Sequence, residues 1–446
     1  MAVPVEADVA VVGGGPAGIA AAVAASARGA RVVVLDEQPA LGGQIWRHRP
    51  GGTVASGAGR AALAALRAST ATVLSATAVW GARDDATLLT VDASGAPGEV
   101  RARAIVLATG AHDRPVAFPG WTLPGVLTAG GAQALAKGQG VAAGRRVVLA
   151  GAGPFLLPVA RELVAAGATV VAVAEATRRR DWFRHAPVAG RDPRRLREYG
   201  RYRRALAAAG VELLWAHVVV GAAGADAVAS VTLAPCDGAW RPDRRRARTL
   251  AADALCTAYG FVPAVELART LGCALTAAGT VRCDADMRTS VAHVFAAGEP
   301  TGIGGAELAG AEGAVAGAAA AAHARGAASS PRPPALDRRR RRHARFARML
   351  GTLFAPRPGL WELADPGTVL CRCEDVTLAE VRAAAAGASG LSALKLVTRC
   401  GQGPCQGRMC AELVARAAGA QGGYSVRPPL RPVALGTLAQ VSAPPS

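Results

Sequence analysis

The stretch DVAVVGGGPAGIAAAVAASARGARVVVLDEQPALGGQ, Asp8 to Gln44, decides the fold. It reads as a buried strand, a glycine turn, an alanine-rich helix and a second strand ending in an acid. Gly13 lets the chain turn, Gly15 lets its backbone approach a pyrophosphate, and Gly18 lets the helix lie close on the sheet. The helix opens at Pro16 and Ala17, so its N-terminal amides face the phosphates. Asp36 closes the second strand eighteen residues after Gly18, where a carboxylate accepts hydrogen bonds from ribose hydroxyls, and Glu37 follows it. A lone GxGxxG is weak, but here both strands, the helix and the terminal acid accompany it, and together they describe a dinucleotide site.

With 446 residues and 51% hydrophobic content the chain has room for two or three domains with real cores. The net charge of +19 is almost all arginine: Lys137 and Lys395 are the only lysines, and asparagine is absent. Arginines bunch at Arg178 to Arg180, Arg194 to Arg204, Arg244 to Arg248 and Arg338 to Arg342. These clusters lack interleaved aromatics, which make up 4% of the chain, so they read as solvated faces or subunit contacts and nucleic acid is not expected as a partner. No run of about 18 or more strongly apolar residues occurs, and no basic region precedes an apolar N-terminal stretch. The expectation is a cytoplasmic protein without a transmembrane segment, at most peripheral at a membrane through its electron acceptor. All nine cysteines follow residue 235, five of them between Cys371 and Cys410, a pattern that suits a metal or redox site better than a secreted disulfide framework.

Gly42-Gly43-Gln44 continues the opening unit in a way that resembles the FAD signature of two-dinucleotide flavoproteins, the glutathione-reductase-like superfamily. Disulfide reductases of that superfamily carry a redox cysteine pair near Ile45 to Arg49 or in the second dinucleotide domain. Neither place holds one here, which excludes dithiol exchange in the flavin domains. Residues 72 to 92 and 99 to 107 read as short strands, the last running into Ala108-Thr109-Gly110, which resembles the return strand that passes the flavin.

A second dinucleotide-like unit starts at Arg145, RRVVLAGAGPFLLPVARELVAAGATVVAVAEA, with Glu175 in the place of the ribose acid. Its third fingerprint position is Leu156, whose side chain is expected to hold the helix off the sheet or crowd a nucleotide. Two readings stand open: a fold that has lost or changed its ligand, and a working NAD site. Further on, Thr289 to Glu299 resembles the second FAD motif, in which a strand ends at Gly-Asp and the acid meets the ribityl chain; here the pair is Gly298-Glu299. TGIGGAE, with Ile303, then opens another alanine-rich helix whose N-terminal amides face the flavin pyrimidine.

After a proline-rich linker and a basic helix comes CRCEDVT, then TRCGQGPCQGRMC. Thiolates from two converging loops are what a 2Fe-2S cluster needs, because each iron takes two of them. Glycines at 401, 403 and 407 let amides reach the sulfurs, and nearby arginines favour thiolate over thiol. Structural zinc fits the one-residue gap between Cys371 and Cys373 poorly, and free buried cysteines do not cluster this way. The block resembles the bacterioferritin-associated-ferredoxin-like (BFD-like) 2Fe-2S module, which implies Cys371, Cys373, Cys405 and Cys410 as ligands with Cys400 as the alternative; spacing by itself does not choose. Cys236, Cys256, Cys273 and Cys283 are expected to pack.

The expected fold is α/β: two Rossmann-like dinucleotide-binding domains, glutathione-reductase-like with a discontinuous FAD domain, plus a small, mainly helical C-terminal BFD-like iron-sulfur domain. The expected boundaries are 1–117 and 281–325 for the FAD domain and 118–280 for the second dinucleotide-like domain. A linker and basic helix follow at 326–362, then the iron-sulfur domain and tail at 363–446. As a whole the chain resembles the alpha-type subunit of heteromeric amino-acid dehydrogenases, a family that includes opine oxidase, hydrogen cyanide synthase and proline or hydroxyproline dehydrogenase subunits. The resemblance implies FAD and a 2Fe-2S cluster, an unassigned second nucleotide, a D-amino-acid-oxidase-like flavoprotein partner and a small ferredoxin-like subunit. It implies oxidation of a C–N bond in a small amino acid or secondary amine, with electrons passed to a quinone or other carrier. A flavin takes a hydride and releases single electrons, which a 2Fe-2S cluster accepts one at a time. No general base is assigned: His48 and His112 belong to no clear constellation. The competing readings are a self-contained NAD(P)H-dependent reductase and a non-catalytic iron-sulfur scaffold or sensor.

Overall fold

The computed structural model describes residues 4–52, 54–83, 86–184, 193–327, 331–420 and 422–442. The chain forms two compact units, one of Met1–His112, Pro263–Ala347 and Val426–Ser446, the other of Asp113–Val262 and Arg348–Ser425.

The first unit is built on a seven-stranded sheet. Its order is Thr72–Leu74, Val32–Leu35, Val5–Val12, Pro97–Leu107, Thr87–Asp92 and Thr77–Ala82, with Val294–Ala296 also on Pro97–Leu107. Val5–Val12 lies between two parallel neighbours, in register Val12 to Leu35 and Val12 to Leu107. Strands such as Val32–Leu35 are apolar throughout because helices cover the sheet. The long strand Pro97–Leu107 divides one edge: Pro97 to Arg101 pairs antiparallel with Thr87 to Val91, and Ile105 to Leu107 pairs parallel with Val294–Ala296. That second pairing brings the return segment back to the opening unit. Helices Pro16–Ser26 and Ala306–Ala324 pack at backbone contact, since a Cβ on Gly313 would lie 2.0 Å from Ala17 O and one on Gly317 2.0 Å from Ala21 O. Their alanine and glycine content is therefore a packing requirement.

The second unit carries a five-stranded parallel sheet, Glu212–Trp215, Thr169–Glu175, Arg146–Gly151, Ala254–Ala258 and Val126–Thr128. A three-stranded antiparallel sheet, His217–Ala223, Ser230–Pro235 and Arg248–Ala251, accompanies it. The cysteine-rich segment adds helices Leu378–Ala385, Leu391–Thr398 and Ala411–Ala417 to the same unit.

These units divide the chain differently from the sequence boundaries. The cysteine-rich segment shares one core with residues 113–262: Leu360, Leu370 and Val381 are buried in the same cluster as Trp121, Val218 and Trp240. Trp121 donates its indole N–H to Val369 O at 2.6 Å, and Arg114 pairs with Glu412. The tail from Val426 folds into the first unit instead. Both differences come from apolar residues whose partners lie more than a hundred positions away, which composition and linker signals do not reveal.

Candidate functional site

In the first unit the glycine loop has two kinds of position. A Cβ on Gly13, at φ +107°, would lie 2.2 Å from Ala108 O, and one on Gly18 would lie 1.8 Å from Gly13 O, so these two permit the close crossing of helix and strand. Gly15 is different: its φ is −80°, and the nearest atom to its Cβ position is Gly43 Cα at 3.8 Å. Gly110, Gly302 and Gly305 have nothing within 4 Å of theirs. Bare backbone thus borders open space from three segments. Helices Pro16–Ser26 and Ala306–Ala324 have no side-chain N-cap, whereas Ser56 and Thr128 cap the helices that follow them. Uncapped amides and side-chain-free backbone fit a pyrophosphate and a flavin ring. Ile303, 39% exposed, and Ile45, 50% exposed, are apolar side chains left at the surface of this unit.

The acids at the ends of the strands contact the backbone of the neighbouring loops. Asp36 is buried and accepts backbone N–H groups on both oxygens, Gly14 at 2.5 Å and Gln38 at 2.7 Å, and burial pushes its carboxyl above the usual range. It holds the loop. Glu37 stands more open and pairs with Arg431. Glu299 accepts from Gly304 N and Gly305 N, its extra methylene carrying the carboxylate to the start of the next helix. Ala17 and Gly298 meet at contact distance, and Thr109 donates to Ala264 O at 2.6 Å. Gln44 accepts from Arg47. Both ring nitrogens of His48 face carbonyls, Leu41 O and Gly52 O, so this histidine ties a loop.

Sequence reasoning missed Glu312, whose signal was an acid in the second turn of an apolar helix. It accepts from Gly298 N at 3.0 Å and Thr301 Oγ1 at 3.1 Å, and burial pushes its carboxyl up to about 7. The folded state therefore keeps a proton that the unfolded chain releases near 4.5, and stability falls as pH rises from about 4.5 through about 7. Glu312→Gln preserves an acceptor for both donors. It is expected to raise the melting temperature at roughly pH 8, by up to about 3 kcal/mol of stability, and to change little at roughly pH 5. Equal shifts at both pH values would disprove it.

The loop of the second unit begins alike and then departs. A Cβ on Gly151 would lie 2.2 Å from Ala258 O, as at Gly13. The helix, however, starts at Leu156, whereas the first unit's helix starts at Pro16, the counterpart of Pro154. Leu156 does not hold the helix off the sheet: it is 1% exposed and packs with Val147, Leu149, Val170 and Val173. The loop is rebuilt around it, at the expense of the first helical turn that would face a pyrophosphate. The Phe354 ring lies 3.4 Å from the Cβ position of Gly153 and meets Trp182 edge-on at 5.1 Å. Glu175 is buried, accepts from Gly153 N and Thr177 N, and is pushed up to about 7 by burial. Arg178 pairs with Asp181, and Arg179 lies over Trp215.

The five clustered cysteines converge. Cys371, Cys400 and Cys410 are buried, Cys405 is half-buried and Cys373 is exposed. The sulfurs run in a chain of contacts, Cys373 to Cys405, Cys405 to Cys410 and Cys410 to Cys371, and Cys400 joins at Cys371. Among the described residues no three His, Cys, Asp or Glu side chains are placed to hold a single metal ion. Cys400 and Cys410 donate to Cys371, and Cys410 donates to Cys405, so both accepting thiols are held well below their ordinary value, with amides of Glu374 and Gly401 adding to the first and those of Gly407 and Met409 to the second. Cys400 and Cys410, which donate, are pushed up. Gly403 serves otherwise: a Cβ there would lie 2.3 Å from Cys373 Cβ. Away from the cluster, burial pushes Cys236, Cys256 and Cys283 up to about 12, values of inert packing thiols.

Fold and sites together define an oxidoreductase with two dinucleotide-binding folds and an added cysteine-rich segment. The chain belongs to the pyridine nucleotide-disulphide oxidoreductase family, whose pattern matches residues 7–324. It is 35% identical, over 98% of its length and 99% of the relative's, to the A-type subunit of opine oxidase from Rhizobium meliloti strain 1021. It is 34% identical to the HcnB subunit of hydrogen cyanide synthase from Pseudomonas protegens, over 90% of this chain and 89% of that one. The crystal structure of L-proline dehydrogenase from P. horikoshii shares the fold, with a TM-score of 0.69 at 22% identity, covering 98% of this chain and 80% of that one. The family and the flavoprotein fold expected from the motifs are those found, and the chain is an FAD-dependent oxidoreductase. Among the described residues no helix is long and apolar enough to cross a membrane.

Proposed function

We propose that this chain is the FAD and 2Fe-2S subunit of a heteromeric dehydrogenase that oxidises a C–N bond of an amino acid or secondary amine, of opine, proline, hydroxyproline or glycine type. The observation that carries this reading is the coexistence, in one chain, of an open glycine cradle and a contiguous chain of cysteine sulfurs. Gly13, Gly15 and Gly18 with the uncapped helix starts hold FAD; Cys371, Cys373, Cys405 and Cys410 hold the cluster, with Cys400 beside Cys371 in reserve. When bound, the two groups supply two-electron acceptance and one-electron release. No side chain of the described flavin site is arranged as a general base, which suits amine oxidation on a D-amino-acid-oxidase-like partner. A small ferredoxin-like subunit, or a quinone reached at the membrane surface, then receives the electrons in the cytoplasm.

The rebuilt loop at Leu156 and the ring of Phe354 at Gly153 weigh against feeding by NADH. Anaerobic visible spectroscopy tests both parts. NADH alone is expected to leave the flavin oxidised over minutes, while an amino acid or opine together with the partner reduces flavin and cluster. Bleaching by NADH within seconds would identify a self-contained reductase instead.

A further inference from the structure

We infer that the C-terminal tail is a third segment of the flavin site, in which Arg431 positions Glu37 for the adenosine ribose. This rests on the reading above that the first unit binds FAD.

The tail is built into the first unit. Leu430 is buried in the core that also holds Val33, Leu88 and Ile105, and Val426 packs against it. Leu430 N donates to Trp80 O at 2.7 Å, so the tail covers Thr77–Ala82, the edge strand of the sheet. Pro428 lies 3.3 Å from the Cβ position of Gly81, and Thr437 donates to Gly95 O at 2.7 Å. These contacts fix the backbone on both sides of Arg431.

From there the Arg431 guanidinium reaches Glu37 Oε2 at 2.5 Å. Of the two acids that end the second strand, Asp36 is 8% exposed and accepts from Gly14 N and Gln38 N, while Glu37 is the one with its carboxylate at the surface, 38% exposed. A ribose diol needs an acceptor held still. A glutamate side chain has three rotatable bonds, and an ion pair to one oxygen orders them while the other oxygen stays available. Arg431 is thus a positioning residue: it acts through Glu37 and does not touch the reacting part of the flavin.

The test uses the full chain, its bound FAD removed and added back, with the FAD dissociation constant as readout for wild type, Arg431→Ala, Arg431→Lys, Glu37→Gln and the Glu37→Gln, Arg431→Ala double variant. ADP serves as a second probe, since it carries only the adenosine half. Arg431→Ala is expected to weaken FAD and ADP by about twofold to fivefold, the effect of one partly exposed ion pair. Arg431→Lys is expected to recover part of it, and the double variant to be no weaker than Glu37→Gln. The melting temperature of the cofactor-free protein is expected to stay the same. If Glu37→Gln weakens FAD and Arg431→Ala does not, the inference is overturned while the flavin reading stands. If neither weakens it, the ribose role of Glu37 falls as well.

Discussion

Cys410→Ala is expected to yield protein without a cluster, its iron falling from about two per chain to near zero and its cluster absorbance lost while FAD remains. Cys410 is 0% exposed and stands in the middle of the sulfur chain, in contact with Cys371 on one side and Cys405 on the other. Removing it splits the continuous run of sulfurs into two separate pairs, Cys373 with Cys405 and Cys371 with Cys400. Cys400→Ala is the necessary contrast. Cys400 joins the chain only at its Cys371 end, and its loss is expected to leave iron content near that of wild type. Loss of iron in Cys400→Ala with retention in Cys410→Ala would reverse the ligand assignment, and zinc in place of iron and sulfide would refute the cluster itself. Iron and acid-labile sulfide per chain are the measurements.

Gly15→Ala is expected to fold normally and to lose FAD affinity by about 100-fold, which corresponds to about 3 kcal/mol. Its backbone, at φ −80°, is open to any residue, and the added methyl meets no protein atom closer than 3.8 Å, so the cofactor-free protein bears no strain. The methyl points instead into the gap facing Gly43, where a pyrophosphate would approach bare backbone. Gly18→Ala separates the two effects, because its Cβ would lie 1.8 Å from Gly13 O. That variant is expected to lose stability and flavin together, by several kcal/mol, since strand and helix must move apart. Thermal melting without cofactor, next to FAD titration, distinguishes them. A Gly15→Ala protein that binds FAD as wild type does would remove the cradle from this loop.

Much of this was legible in local sequence. The crossing of strand and helix at Gly13 and Gly18 is a short-range steric demand, readable from glycine at a set spacing, and the apolar runs predicted parallel strands buried on both faces. Leu156 was correctly marked as the departure in the second unit, but its consequence was not: a leucine can crowd a site or be absorbed, and the choice depends on whether the loop can be rebuilt. Asp36 and Glu37 are adjacent in sequence, and only their orientation separates the acid that braces the loop from the one that faces outward.

By itself, then, the sequence determined the two nucleotide-binding folds, the flavin loop and the five cysteines, because each depends on residue types within one turn or one loop of each other. Tertiary structure decided what depends on distant packing. It joined the cysteine segment to the second unit through Trp121 and Val369, set Phe354 on Gly153, turned Glu312 back to Gly298, and returned Arg431 to Glu37. Burial of apolar surface is non-directional and indifferent to separation along the chain, so its pairings cannot be read from spacing.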